Sequence, residues 1–399
     1  MSQETAEAEV ERHASWAELF FDLVVVVGVA ALAHVLEGGV DAPTLGLYAV
    51  LFLAFWLSWT SFMLYGNVAA GETRLLRLLV GMLGLGVMAA SVPGLVHTVL
   101  HEGHEEHAVT AFVVAYVATR VLGANAWERG QVVVDFPVAQ HALGVLPWVV
   151  SIWVDPPWQV WLWVLGIGLD LFMLLVYSAD DALKSLDDRL EQVRRRDPER
   201  VAGFAIQRTE FDAGHLAERL GLFVIIVLGE GVVQVVRTSW EVEFDRDLLR
   251  AGLSSFVLLC GMFWLSLLHG HAGVPHLRAG VLGARASLVI HAAVTATVAC
   301  VAVALAGVVE HGAEPLGSDQ RWLLCGGVAI YFLLGVVAQV ASRDRQWVRI
   351  TGRLVAGVVV PVLLGALATD VHGSTLVWYV VLVVAVNIVS QRAATRSGG

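Results

Sequence analysis

An all-α, polytopic integral membrane protein is the fold class this sequence predicts, and three observations predict it. Apolar residues make up 57% of the 399, and mean hydropathy is +0.71. Charged residues supply only 15%, well under the ~25% of an ordinary soluble chain. The apolar residues also fall into runs of ~20, the length a helix needs to cross the hydrocarbon core. Abundant Gly (39) and Trp (14) fit that reading, because small residues let helices approach and indole rings favour the lipid–water interface.

The runs place about 12 spans near 16–37, 43–65, 75–96, 107–126, 136–154, 157–178, 215–236, 247–268, 285–309, 320–341, 353–370 and 374–391. The run at 107–126 carries Arg120, and that at 136–154 carries His141 and Pro147. A charged segment, 179–214, with the cations Arg194, Arg195 and Arg196, separates six spans from six and is expected to form a surface helix before Pro198. The domain reading is therefore a tail (1–15), a first six-helix half (16–178), the linker (179–214), a second six-helix half (215–391) and a tail (392–399). The N-terminal tail is acidic and lacks the basic flank of a cleaved signal peptide, so the first span is expected to stay as an anchor.

Charge placement orients the spans. With both termini in the cytoplasm, all but four of the 25 cations fall on the inner side; Arg237, Arg246, Arg250 and Arg321 are the exceptions. That asymmetry is the positive-inside pattern. The halves also look related. Glu18 and Glu218 open the first and seventh spans, the tetrapeptide Phe-Trp-Leu-Ser recurs at 55–58 and 263–266, and Arg77 and Arg285 begin the third and ninth. An even number of spans per repeat implies parallel halves related by an axis along the membrane normal.

Several polar residues sit inside these apolar runs. In "WAELFFDLVVVVG", Glu18 and Asp22 lie four apart and share one helix face near the cytoplasmic end. Glu218 and Arg219 hold the matching end of the seventh span, with Arg77 and Arg120 at similar depth. A lone charge in hydrocarbon costs ~3 kcal/mol on insertion scales. These six are thus expected to form a cytoplasmic-side ionic cluster in which Asp22 pairs with Arg120, joined by Arg77 or Arg219. Such a cluster serves either as a clamp between helices or as a polar entrance.

Glu230 lies deeper, ~18 Å along its helix from Glu218, with no cation at matching depth and with Gln234 one turn on. Gly229 and Gly231 flank it and permit irregular backbone of the kind that lines transporter sites. Asp170 is similarly deep in the sixth span, and the repeat puts Asn387 near the equivalent position of the twelfth. Glu230, Asp170, Gln234 and Asn387 are the intramembrane candidates, and Glu230 is expected to line a polar cavity between the halves. The competing reading is a neutral carboxyl hydrogen-bonded inside the bundle.

His97, His101, His104 and His107, interleaved with Glu102, Glu105 and Glu106, form a weak metal candidate. A solvated acidic loop fits the same stretch better, since Gly103 interrupts it. No metal and no cofactor are expected. Cys260, Cys300 and Cys325 all lie in apolar runs, which indicates neither a disulfide framework nor a thiolate site. Phosphate loops, zinc-protease motifs and nucleophile elbows are missing, and nucleic-acid binding has no support. The expected partners are the lipid bilayer and a small solute or ion, in an undetermined oligomeric state.

Two segments, "ERHASWAELFFDLVVVVGVAALAH" (Glu11–His34) and "HLAERLGLFVIIVLGEGVVQVV" (His215–Val236), closely resemble the signature segments of the bacterial low temperature requirement protein A (LtrA) family. "RLLRLLVGMLGLGVMAASVPG" (Arg74–Gly94) is similar to that family's third helix. The resemblance implies a multi-pass protein of the bacterial cytoplasmic membrane and brings no reaction with it. One departure follows the second span, where family members tend to carry an Asn-Arg-Phe-Asp-like stretch. Here the chain reads "YGNVAAGETRL" and keeps only Asn67. Three functional classes follow: a secondary transporter or ion-conducting protein, an intramembrane enzyme or cofactor binder, and a structural or sensory protein whose charges clamp helices.

Overall fold

Helices dominate the chain, as its apolar runs require. The computed structural model describes residues 13–37, 39–68, 75–101, 103, 105–124, 131–133, 143–176, 184, 188, 191–195, 207–209, 211–311, 313–343 and 347–396. The tail 1–12, most of the linker, His104, and the start of the 136–154 run with His141 lie outside the described residues. Within the linker, residues 191–195 are helical, with an exposed Arg195–Glu191 pair at 2.6 Å.

Helix α1 (Trp16–Ala31) starts where Ser15 caps it: the Ser15 hydroxyl accepts from the Glu18 backbone N–H while the Glu18 carboxylate accepts from the Ser15 N–H. That reciprocal box satisfies two N–H groups that no helix can satisfy internally. The predicted first span breaks at Leu32, and a short α2 (Ala33–Glu37) completes it. Then come α3 (Ala42–Val68), α4 (Leu75–Leu100), α5 (Glu106–Ala124), α6 (Val145–Val150), α7 (Trp158–Val176) and α8 (Ala213–Ser239). The remainder are α9 (Arg246–Leu268), α10 (Val274–Arg278), α11 (Ala284–His311), α12 (Ser318–Ala341), α13 (Trp347–Arg353), α14 (Val360–Leu367) and α15 (Gly373–Arg396). Between α13 and α14 the helix widens to π geometry over Leu354–Val359, just before Pro361, which has no N–H to continue the regular ladder. Besides the helices, a three-residue strand β1 (Gln131–Val133) pairs in parallel with β2 (Gln207–Thr209), with Gln131 opposite Gln207.

Ten helical runs among the described residues are long and apolar enough to cross a membrane: α3, α4, α5, α7, α8, α9, α11, α12, the α13–α14 run and α15. The first predicted span is shorter because of the break at Leu32. Of the fifth, only α6 and one 3-10 turn (Ser151–Trp153) are described. Helix α3 is apolar on all sides and is accordingly the most buried. It packs against α1, α4, α5 and α7 and also against α8 and α11. Large apolar side chains such as Leu76, Leu83, Leu165, Phe172 and Leu382 point outward, an exposure that lipid, unlike water, does not penalise.

Candidate functional site

The polar residues of the first segment meet those of the seventh. Because α1 and α8 lie side by side and both cross α3, one buried face of each helix turns toward the other. Asp22, fully buried, accepts from Arg219 twice: Nε donates to Oδ2 at 2.8 Å, and Nη2 donates to Oδ1. Trp59 on α3 donates its indole N–H to Oδ1 at 2.7 Å. Glu18 lies one turn away, 3.1 Å from Arg219 Nη1 and 3.6 Å from His215 Nε2. Asn67, at the end of α3, spans the remaining gap. Its amide donates to the Asp212 carbonyl at 2.9 Å and lies 3.2 Å from His215 Nδ1, while its carbonyl accepts the Asp212 N–H at 2.9 Å. Gly66 makes the approach possible, since a Cβ there would sit 2.7 Å from Glu18 Oε1.

Charge, more than aligned hydrogen bonding, closes the Glu18 end. Glu18 Oε1, His215 Nε2 and Arg219 Nη1 are buried and face one another without hydrogen-bond geometry. Two carboxylates share one guanidinium in this network, and His215 lies against the second of them. Aromatic packing adjoins it: Trp59 packs tilted against Phe223 with ring centroids 4.3 Å apart and stacks on His291 at 5.7 Å. His291 uses both ring nitrogens, accepting from Trp56 at 3.4 Å and donating to the Leu220 carbonyl at 3.1 Å.

A second buried pair joins α5 to α7. Arg120 Nη2 donates to Asp170 Oδ2 at 3.0 Å, and Nη1 donates to the Ser61 hydroxyl at 2.7 Å. The other Asp170 oxygen accepts the Gly144 N–H at 3.2 Å. Gly144 and Gly166 permit this closeness, because a Cβ on either would strike the other's carbonyl. These contacts correct the sequence-based pairing. Asp22 bonds Arg219 in place of Arg120, and Arg120 belongs to Asp170, so Asp170 is a paired carboxylate. Periodicity had matched the depths of these groups; the azimuth of each helix chose among them.

Residues 13–386 match the family model described as Bacterial low temperature requirement A protein (LtrA). The chain belongs to the LtrA family. No match emerges among curated proteins. In this LtrA-family chain the two segments that carry the resemblance, Glu11–His34 and His215–Val236, are the ones that converge on the Asp22–Arg219 network.

The other predicted residues distribute more widely. Glu218 turns away from the network to the chain entering α1, accepting the Ala14 N–H at 3.3 Å and lying 3.5 Å from His13. The Arg77 guanidinium covers the Tyr65 ring at 5.3 Å. Glu230, half-buried on α8, accepts from Gln234 at 3.4 Å and has no ion pair among the described residues. Asn387 turns back on its own helix, donating to the Val383 carbonyl at 2.8 Å. His97 lies 3.7 Å from Glu105 and 6.2 Å from the His101 ring centre, His107 is exposed, and no metal-binding group of three forms among the described residues. Sequence reasoning missed His215, Trp59 and Ser61. His215 had a legible signal: it stands four residues before Arg219 and thus on the same helix face.

Proposed function

We propose that this LtrA-family protein is a secondary transporter of a small solute or ion, built from 12 spans in two parallel six-helix halves with both termini cytoplasmic. On this reading the Glu18–Asp22–Arg219–His215 network is the latch that closes the cytoplasmic side between the halves. The carrying observation is that this buried network joins α1 to α8, the helices that open the two halves. Support for the repeat comes from matched neighbours: α1 packs on α4 and α4 on α5, as α8 packs on α11 and α11 on α12. Helices α3 and α7 are likewise neighbours, as are α9 and α15. Separating α1 from α8 breaks the contacts of Glu18 and Asp22 with Arg219, so a solute that binds the opened state better than the closed one shifts the latch toward release. Glu230, carrying no ion-pair partner among the described residues, is the proton-exchanging group on this reading.

The competing reading is a structural clamp, and the pairing of both Asp22 and Asp170 with arginines favours it. Vesicles discriminate the two. The protein is reconstituted with an internal pH dye, a potassium diffusion potential is imposed, and amino acids, dicarboxylates, sodium and potassium are presented in turn. A transporter gives proton movement dependent on one of these solutes, lost in Glu230→Gln while the melting temperature holds. Absence of solute-dependent proton movement across the whole panel, with Glu230→Gln unchanged, favours the clamp.

A further inference from the structure

Far from the ionic network, at the opposite ends of α8 and α9, an apolar groove of about 380 Å³ opens on the outside of the bundle. Its volume falls within the ~300–1,000 Å³ of small-molecule sites. Val232, Val235, Phe244, Leu248, Gly252 and Leu259 line it. Two features identify what fits. From Leu248 to Leu259 the wall rises ~16 Å along α9, close to the ~15 Å depth of one leaflet's hydrocarbon. Its mouth is interfacial, with Trp240 and Phe244 both 79% exposed. Arg237, Glu241, Glu243, Arg246 and Arg250, all exposed, stand within two residues of the lining residues Val236, Ser239, Phe244 and Leu248. The arginines are three of the four cations that the charge pattern leaves on the outer side. Of them, Arg250 is tied to Asp247 at 3.2 Å, while Arg237 and Arg246 make no ion pair among the described residues.

We propose that this groove is a phospholipid site of the leaflet opposite the ionic network, holding one acyl chain along α9. The lipid's phosphate lies against Arg237 and Arg246, and an ethanolamine ammonium against Glu241 and Glu243. A zwitterionic head fits because both signs of charge are exposed in the segment that joins α8 to α9 at this end of the groove. The proposal needs only the membrane setting and stands apart from the transport reading.

Gly252 supplies a clean test, since a Cβ there meets nothing within 4 Å. Gly252→Phe puts a ring on the groove wall from an open Cβ position, and Gly168→Phe adds the same ring to an open, exposed position on α7. The full-length protein, delipidated in detergent, is incubated with phosphatidylethanolamine or phosphatidylglycerol of matched chains and examined by native mass spectrometry. Wild type and Gly168→Phe should each retain one phosphatidylethanolamine per chain, and Gly252→Phe should retain at least fivefold less at an unchanged melting temperature. Arg237→Gln/Arg246→Gln should lower retention in the same direction. Equal retention by wild type and Gly252→Phe overturns the site, as does a dimer that Gly252→Phe dissociates. Retention of detergent alone overturns it too, and preference for phosphatidylglycerol overturns the headgroup assignment.

Discussion

Replacing Asp22 by Asn removes one charge from a fully buried network while keeping its shape. The carboxylate accepts two bonds from Arg219 and one from Trp59. The amide keeps an oxygen for Trp59 but turns an NH2 toward the Arg219 Nε donor. Removing one partner of a buried ion pair costs ~3–5 kcal/mol. Glu18 still stands 3.1 Å from Arg219 and partly neutralises it, so the expected loss lies near the lower end, about 3 kcal/mol. The assay is reversible unfolding in mixed micelles followed by circular dichroism. Asp22→Asn combined with Arg219→Met should be more stable than the sum of the single losses by ~1–3 kcal/mol, the coupling of contacting residues. Asp22→Asn combined with Arg120→Met should add to within ~0.5 kcal/mol, because Asp22 bonds Arg219 and Trp59 whereas Arg120 bonds Asp170 and Ser61. Additivity in the first pair, or coupling in the second, would refute the assignment of Asp22 to Arg219.

Two further outcomes follow from the same geometry. Asp170→Asn removes the carboxylate that Arg120 bonds at 3.0 Å and should cost ~3–5 kcal/mol in the same unfolding assay; adding Arg120→Met should recover part of it. In the loop after α9, His271 is buried against Tyr331 with neither ring nitrogen hydrogen-bonded, and burial, reinforced by Arg353, holds its pKa well below the usual 6.5. The unfolded chain takes up that proton below ~6.5 while the native chain does not. Stability should therefore be level above that pH and fall as pH drops from there toward the native pKa. His271→Phe should flatten the fall measured between pH ~6.5 and ~5. His269, held low by burial and by Arg353 and Arg392, keeps a residual slope. An unchanged slope would show that His271 is protonated in the native protein.

The amino-acid sequence determined the membrane setting and the extent of most spans. Both follow from the length and hydropathy of contiguous runs, which no tertiary contact alters. It also exposed the polar residues that matter, since Glu18, Asp22, Arg120, Asp170 and Arg219 stand out as charges in apolar surroundings. Spacing gave their faces and approximate depths. Partner choice lay beyond it. Depth matches Asp22 equally to Arg77, Arg120 and Arg219, and only the rotation of α8 against α1 over the small Gly66 surface brings Arg219 to Asp22 and His215 to Glu18. Likewise Asp170 read as an unpaired carboxylate until the Gly144–Gly166 contact drew α6 onto α7 and Arg120 met it from α5. One-dimensional periodicity fixes where a side chain points relative to its own helix, whereas its partner depends on which helices pack beside it and at what angle. Those are settled by the steric fit of whole helix faces.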